Sequence, residues 1–522
     1  MVPIGTSERG PVAEREQSHP RPRRRLRRFL GWLPELLVLV VLGTAVAGWQ
    51  YDLGGRWLAP PNPETDPARV LPPEGLDLPR LGPARQVAAV DGGGHASPAA
   101  VARAVSPYLH ARRLGRHVVV AVAGLDGGRM LFRHGHGAVT PASTTKLLTS
   151  TAALEALGPM ARFTTTVRQV PGTRRVVLVG GGDPLLASTP KAAAGLYPAR
   201  ANLTTLAHQA AATLLRQHQR RIDLRYDASL FTGPAFNPTW PEGYRADVVS
   251  PISALWVNEG RNRAGPGFVH DPARAAAQLF AHVLEKDGVE VVGGPRPGRA
   301  PAGSVAVAEV RSAPLGEIVQ HVLDVSDNMG AEVLARHVAL AVAHRGSFTA
   351  ATRSVLTVLR RLSVDTSGDR LHDGSGLSRH DRITARTLID VLRTAASPDR
   401  PELRDVVTGL PVAGFTGSLT WRFDEAFPAA RGRVRAKTGT LSGVHGLAGV
   451  ATDLDGDRLV FVAVADRVRG RNELWAQDRI DEVAGALGAC HCGAGAGRGA
   501  GSDPGSGPGS GTGSGTGSGP GS

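Results

Sequence analysis

Thr140-Pro141-Ala142-Ser143-Thr144-Thr145-Lys146-Leu147-Leu148 is the stretch on which the reading of this chain turns. Ser143 followed by Lys146 at the entry to an apolar run puts a hydroxyl and an amine on one helix face, because residues three apart are neighbours there. An amine that is desolvated or lies near a second cation loses its proton easily and becomes a base toward the hydroxyl. Arginine cannot do this, since its guanidinium stays protonated. Of the sixty Lys and Arg residues only four are lysine, at 146, 191, 286 and 437. A chain that uses arginine wherever a fixed charge suffices has placed its lysines sparingly.

Two further motifs follow in order. Ser326-Asp327-Asn328 offers a hydroxyl that can relay a proton and an amide that can hold Lys146 or a substrate carbonyl. Lys437-Thr438-Gly439, continued by Thr440, offers a cation and hydroxyls for a carboxylate, with a glycine that lets a strand backbone lie close to a ligand. Each is weak alone: Ser143 and Ser326 read equally well as helix N-caps, and Lys437 to Gly439 as an ordinary turn. Ser188-Thr189-Pro190-Lys191 repeats the first pattern, but Pro190 suits a first helical turn capped by Ser188 or Thr189, and no long apolar helix follows. The order and joint occurrence of the three motifs carry the argument.

Around them the patterning alternates strands and helices. Residues 117–125 are apolar and β-branched, Asp126-Gly127-Gly128 turns, and 129–133 returns, a hairpin; 444–452 and 458–465 form another across the Asp453–Asp457 turn. A helix is expected from Ser143 with Leu147, Leu148, Leu154 and Leu157 as its stripe, ending at Gly158-Pro159, and a last helix through 475–487. The fold class is therefore α/β (α+β), a lobe assembled from distant segments. Residues 101–165 and 301–492 make its two parts, and 166–300, with 174–180 and 203–217 as strand and helix, make an insert. Residues 50–100 are Pro/Gly-rich and read as a linker, and 493–522 as a disordered Gly/Ser tail.

Residues 1–28 are basic, with Arg21, Arg23, Arg24, Arg25, Arg27 and Arg28 preceding the apolar stretch 29–49. Pro34 and Glu35 interrupt that stretch and Ala45-Val46-Ala47 resembles a cleavage site, so a retained signal anchor and a cleaved signal peptide both stand. Either places the bulk of the chain outside the cytoplasm, with membrane contact through this segment if it is uncleaved. The net charge is +14. A basic exported protein is drawn to anionic wall polymers or lipid headgroups, the alternative being an arginine-rich solvated surface. No zinc-finger spacing or aromatic-interleaved basic stretch argues for nucleic acid. The two cysteines, Cys490 and Cys492, flank one residue, too close to be expected as a structural staple. His134-Gly135-His136 lacks a third ligand, so no metal or other cofactor is expected.

The three motifs in the order S-x-x-K, S-x-N, K-T-G resemble those of penicillin-binding proteins and class A β-lactamases. Gly180-Gly181-Gly182-Asp183-Pro184-Leu185, the stretch 227–234 with Trp240-Pro241, Ile252-Ser253-Ala254-Leu255, and Asp373-Gly374-Ser375-Gly376-Leu377-Ser378 narrow the resemblance. They are similar to phrases of the D-alanyl-D-alanine carboxypeptidase/endopeptidase family of low-molecular-mass class C. The resemblance implies a serine β-lactamase/DD-peptidase-like catalytic domain split by an inserted domain. It implies Ser143 as nucleophile, Lys146 as base, Ser326 and Asn328 in the second motif, and Lys437, Thr438, Gly439 and Thr440 at the substrate carboxylate. The N–H groups of Ser143 and Thr440 would form the oxyanion hole. Peptidoglycan stem peptides are the implied substrates and β-lactams the implied inhibitors. The same machinery would serve a β-lactamase or esterase, and a wall-binding scaffold could keep the fold without catalysis.

Overall fold

The computed structural model describes residues 96–493, apart from 110, 128, 263–264 and 424–426. The stretch 29–49 and the tail beyond 493 lie outside the described residues. Among the described residues no helix is long and apolar enough to cross a membrane.

A five-stranded antiparallel sheet joins the two ends of the described chain, in the order Val434–Leu441, Val444–Thr452, Arg458–Ala465, Val118–Gly124, Met130–His134. Val118 pairs with Ala465, so strands more than three hundred residues apart are neighbours. Successive side chains point to opposite faces, and here both faces are covered. Val119, Ala121, Val460, Val462 and Val464 enter a core with the helices Thr145–Leu157, Asn328–Ala343, Phe348–Arg361 and Ala385–Ala396. Val120, Val122, Phe461 and Ala463 enter a second core, against Pro98–Val105 and Glu473–Ala489. That explains why these strands read as continuous apolar runs rather than alternating ones. Each fully buried Val, Leu or Phe contributes roughly 1.5–3 kcal/mol. The helix Pro98–Val105 begins within the Pro/Gly-rich stretch, and Ala96 forms a bridge with Gly493.

A second sheet runs Glu290–Val291, Arg221–Asp227, Arg175–Val179, Thr164–Gln169, Val305–Arg311, with Arg296–Pro297 also on Arg221–Asp227. Arg175–Val179 and Arg221–Asp227 are parallel, which requires a crossover, and the helix Leu203–Arg216 supplies it. Asn202 caps that helix, accepting from the Thr205 N–H at 2.8 Å. The sheet has its own core with Leu203–Arg216 and Pro272–Lys286.

Two expectations are corrected. The helix Thr145–Leu157 has no single apolar stripe: residues 145–154 are all buried. It runs through the centre of the lobe and meets neighbours on every side. Cys490 and Cys492 are joined by a disulfide. The chain folds back there on the Asp453–Asp457 turn: the Leu454 N–H donates to the Cys490 carbonyl at 2.9 Å, and the Cys492 and Gly493 N–H groups donate to Asp453 and Asp455 carboxylates at 3.2 and 2.8 Å. This anchoring leaves the two Cα atoms 5.3 Å apart, within the usual range for a bridge.

Candidate active site

Ser143 sits in a single turn, Ala142–Thr144, that feeds the central helix. Ala142 has φ of 48°, a left-handed conformation that costs a non-glycine residue about 1–3 kcal/mol and must be held by its surroundings. The holding contacts are present. The Thr144 hydroxyl donates to the Pro141 carbonyl at 2.7 Å. Gly376, at φ 83°, lies directly against the Ala142 carbonyl, where any Cβ would overlap it. A Cβ on Gly439 would stand 2.7 Å from the Pro141 oxygen. The glycine of the third motif thus admits the turn that carries Ser143, a reason distinct from room for a ligand.

Lys146 is fully buried. Its Nζ lies 2.9 Å from Ser143 Oγ, 2.8 Å from Asn328 Oδ1 and 2.8 Å from the Ser375 carbonyl. Burial brings its pKa down to about 8, against the opposing pull of Asp373, Asp327 and Glu332. The three neighbours differ in kind. Asn328 Oδ1 and the Ser375 carbonyl can only accept, whereas a hydroxyl can donate or accept. A neutral amine therefore gives its two N–H groups to Asn328 and Ser375, and its lone pair is left for the Ser143 proton.

Those acceptors are themselves fixed. Asn328 opens the helix Asn328–Ala343, two residues after Ser326 at φ 60°. Buried Glu332, one turn further on, accepts from the N–H groups of Gly374 and Ser375 at 3.0 and 2.8 Å and so aims the Ser375 carbonyl. Burial, with nearby Asp373, pushes Glu332 up to about 8. Asp373 accepts from Gly376 N–H at 2.7 Å, Ser378 N–H at 2.6 Å and Trp240 Nε1 at 2.6 Å. The Thr149 hydroxyl ties the central helix to the Gly374 carbonyl at 2.7 Å.

Lys437 is also fully buried. Its pKa is held well below the ordinary lysine range, first by burial and then by the positive charges of Lys146 and Arg422. Its Nζ donates to the Thr438 carbonyl at 3.1 Å and to Thr438 Oγ1 at 3.3 Å, and Thr438 Oγ1 is 3.0 Å from Ser418 Oγ. Thr440 is exposed. The strand Val434–Leu441 is the sheet's edge, and Pro411 and Ala413 bond only its first part, through Ala436 and Val434. Residues 437–441 thus present an open edge beside Ser143.

The structure brings together Ser143, Lys146, Asn328, Thr438 and Lys437. Ser326 makes no hydrogen bond to either lysine; it lines a cavity of about 560 Å³ with Asp327 and Asn328. Glu259, His321 and Asp327 on that cavity bring three ligand-type atoms within 4.8 Å of one another. The other such cluster, Asp453 with Cys490 and Cys492, has its thiols committed to the disulfide. Ser375, Glu332, Asp373, Trp240 and Ser418 were not assigned roles from sequence. Glu332 left one usable signal, the only carboxylate of the helix Asn328–Ala343, four residues after Asn328.

A serine held against a desolvated lysine, with a second buried lysine and a hydroxyl-bearing strand edge alongside, defines an active-site-serine acyl hydrolase. The chain belongs to the D-Ala-D-Ala carboxypeptidase 3 (S13) family, whose pattern matches residues 101–265 and 267–487. It is 38% identical over 383 residues to carboxypeptidase DacB of Mycolicibacterium smegmatis, covering 71% of this chain and 80% of that protein. It is 31% identical over 447 residues to the D-alanyl-D-alanine carboxypeptidase of Actinomadura sp. (strain R39), covering 69% and 80%. The crystal structure of penicillin binding protein 4 (dacB) from Haemophilus influenzae shares the fold, with a TM-score of 0.61 at 22% identity over 72% of this chain and 98% of that one.

Proposed function

We propose that this protein is an exported serine-type D-Ala-D-Ala carboxypeptidase/endopeptidase that cleaves peptidoglycan stem peptides through an acyl-serine and is acylated by β-lactams. The observation that carries the reading is the contact of the fully buried Lys146 Nζ with Ser143 Oγ, Asn328 Oδ1 and the Ser375 carbonyl. Neutral Lys146 takes the Ser143 proton as Oγ attacks the penultimate D-alanine carbonyl. The N–H groups of Ser143 and Thr440 receive the oxyanion. The proton passes from Lys146, with Ser326 as relay, to the departing amine, and water then releases the acyl group.

The substrate would lie extended along the open edge at 437–441, as a strand added to the sheet. Its terminal carboxylate would meet Lys437, Thr438 and Thr440. A carboxylate arriving beside Lys437 favours the charged amine that burial disfavours, so Lys437 binds an anion with most effect when no water intervenes. The insert expected over 166–300 is supported by a sheet and core of its own, to which the strands Thr164–Gln169 and Val305–Arg311 add at either end. The basic segment 1–28 and apolar stretch 29–49 supply the export signal, whether kept as an anchor or cleaved. Purified protein incubated with an acylated Lys-D-Ala-D-Ala peptide should release free D-alanine, and benzylpenicillin should stop the release. Continued release in the presence of saturating penicillin would contradict the reading.

A further inference from the structure

Two arginine runs far apart in sequence meet at one end of the five-stranded sheet. Residues 112–116 lead into the strand Val118–Gly124, and 467–471 leave the strand Arg458–Ala465; because Val118 pairs with Ala465, the two runs flank each other. Gly115, at φ 93°, permits the approach, since a Cβ there would overlap the Arg467 carbonyl. Between them lies a groove of about 1050 Å³ lined by Arg112, Arg113, Arg116, Arg467, Arg469 and Arg471 and, among the described residues, by no acidic one. All six are exposed. None forms an ion pair among the described residues, and Arg113 alone has an aromatic neighbour, with its guanidinium 5.8 Å from the centre of the Trp475 ring.

Six like charges around one concavity repel one another, and the nearest carboxylates are engaged elsewhere: Asp466 with His117 at 2.6 Å and Glu473 with the Gly443 N–H at 2.9 Å. The repulsion would be relieved by a multivalent anion. Guanidinium groups match phosphate oxygens two at a time, which a lysine cannot do. The groove has cationic walls on both sides, a shape that takes a threaded chain better than a flat bilayer. It also adjoins the active site: the Val468 N–H donates to the Gly443 carbonyl at 3.0 Å, and Gly443 lies in the turn that ends the Lys437 strand.

We propose that this groove binds a linear phosphodiester polymer of the kind attached to or woven through a cell wall, and so holds the enzyme with its catalytic edge beside the polymer's support. The test uses the full chain, in which the N-terminal arginines contribute equally to every variant, and fluorescent poly(glycerol phosphate) of defined length as probe. R112E/R116E and R469E/R471E should each weaken binding at least tenfold, with the rate of penicillin acylation unchanged. Lysine at the same four positions, which keeps charge and fold, should still weaken binding several-fold. R353E/R360E, at two exposed positions of the helix Phe348–Arg361, outside the groove, should bind like the parent. Parental affinity in the reversal variants, or equal loss in R353E/R360E, would overturn the site. Equal affinity for poly-glutamate of matched charge would overturn the preference for phosphate, and tighter binding to phosphatidylglycerol vesicles than to the polymer would reassign the groove to a bilayer.

Discussion

Ser143 and Ser188 each stand three residues before a lysine, and the molecule treats them in opposite ways. Around Ser143 the helix Thr145–Leu157 passes through the centre of the lobe, Lys146 has no exposed surface, and its Nζ is 2.9 Å from the serine oxygen. Around Ser188 the helix is one turn, Pro190–Ala193, capped by Thr189, which accepts from the Ala192 N–H at 3.2 Å. Lys191 is exposed, and the Ser188 hydroxyl accepts from Asn258 Nδ2 at 2.9 Å. The spacing is the same and the chemistry is not. A lysine becomes a base through desolvation, and desolvation comes from residues hundreds of positions away.

The four lysines divide the same way: 146 and 437 are fully buried, 191 and 286 are exposed. The largest expected effect follows from this. Lys146→Ala should slow acylation by benzylpenicillin by about 10²–10⁴-fold, the usual contribution of a positioned base, whereas Lys191→Ala should leave it unchanged. Stopped-flow measurement of labelling decides; equal rates in both variants would erase the distinction between the two motifs.

Next in size is Lys437→Arg against Lys286→Arg. A planar guanidinium cannot occupy the space of a compact ammonium at a fully buried site, so the first should lower kcat/KM on a D-Ala-D-Ala peptide by at least about tenfold, and the second should be silent. Parental activity in Lys437→Arg would remove Lys437 from the carboxylate site.

The most gradual effect is the pH dependence, and its sign follows from burial. Lys146 titrates near 8, below the ordinary lysine value. The free amine fraction, and with it the acylation rate, should rise about tenfold per pH unit below 8 and flatten above it. Stability moves in the same direction. Between about 8 and 10.5 the unfolded chain binds the proton that folded Lys146 has lost, so this group's contribution to stability rises across that window and the cost of burying the charge is complete below it. A rate that falls as pH rises from 6 to 8 would mean that the protonated amine is the working form.

Much of this was legible in the residues. The hairpin strands and the last helix announce themselves through apolar runs and Gly/Asp turns, because local patterning determines them. The relation between Ser143 and Lys146 is local as well. What holds Lys146 is not. The Ser375 carbonyl and the Glu332 carboxylate that aims it are brought together by tertiary packing, and a backbone carbonyl leaves no signature in a sequence. The stripe expected on the central helix failed for the same reason: burial on all sides admits Thr149, Ser150 and Thr151 alongside leucine. The disulfide between Cys490 and Cys492 depends on the Asp453–Asp457 turn folding against it, a contact that spacing alone does not reveal.

The most direct measurement is the position of the penicillin adduct. A β-lactam carries its carboxylate where the terminal D-alanine carboxylate would lie, so it should acylate the serine that shares a site with Lys437 and Thr438. Intact-mass analysis followed by peptide mapping should find one adduct, on Ser143, lost in Ser143→Ala and retained in Ser188→Ala. An adduct on Ser188, or no adduct while the D-Ala-D-Ala peptide is still cleaved, would contradict the account.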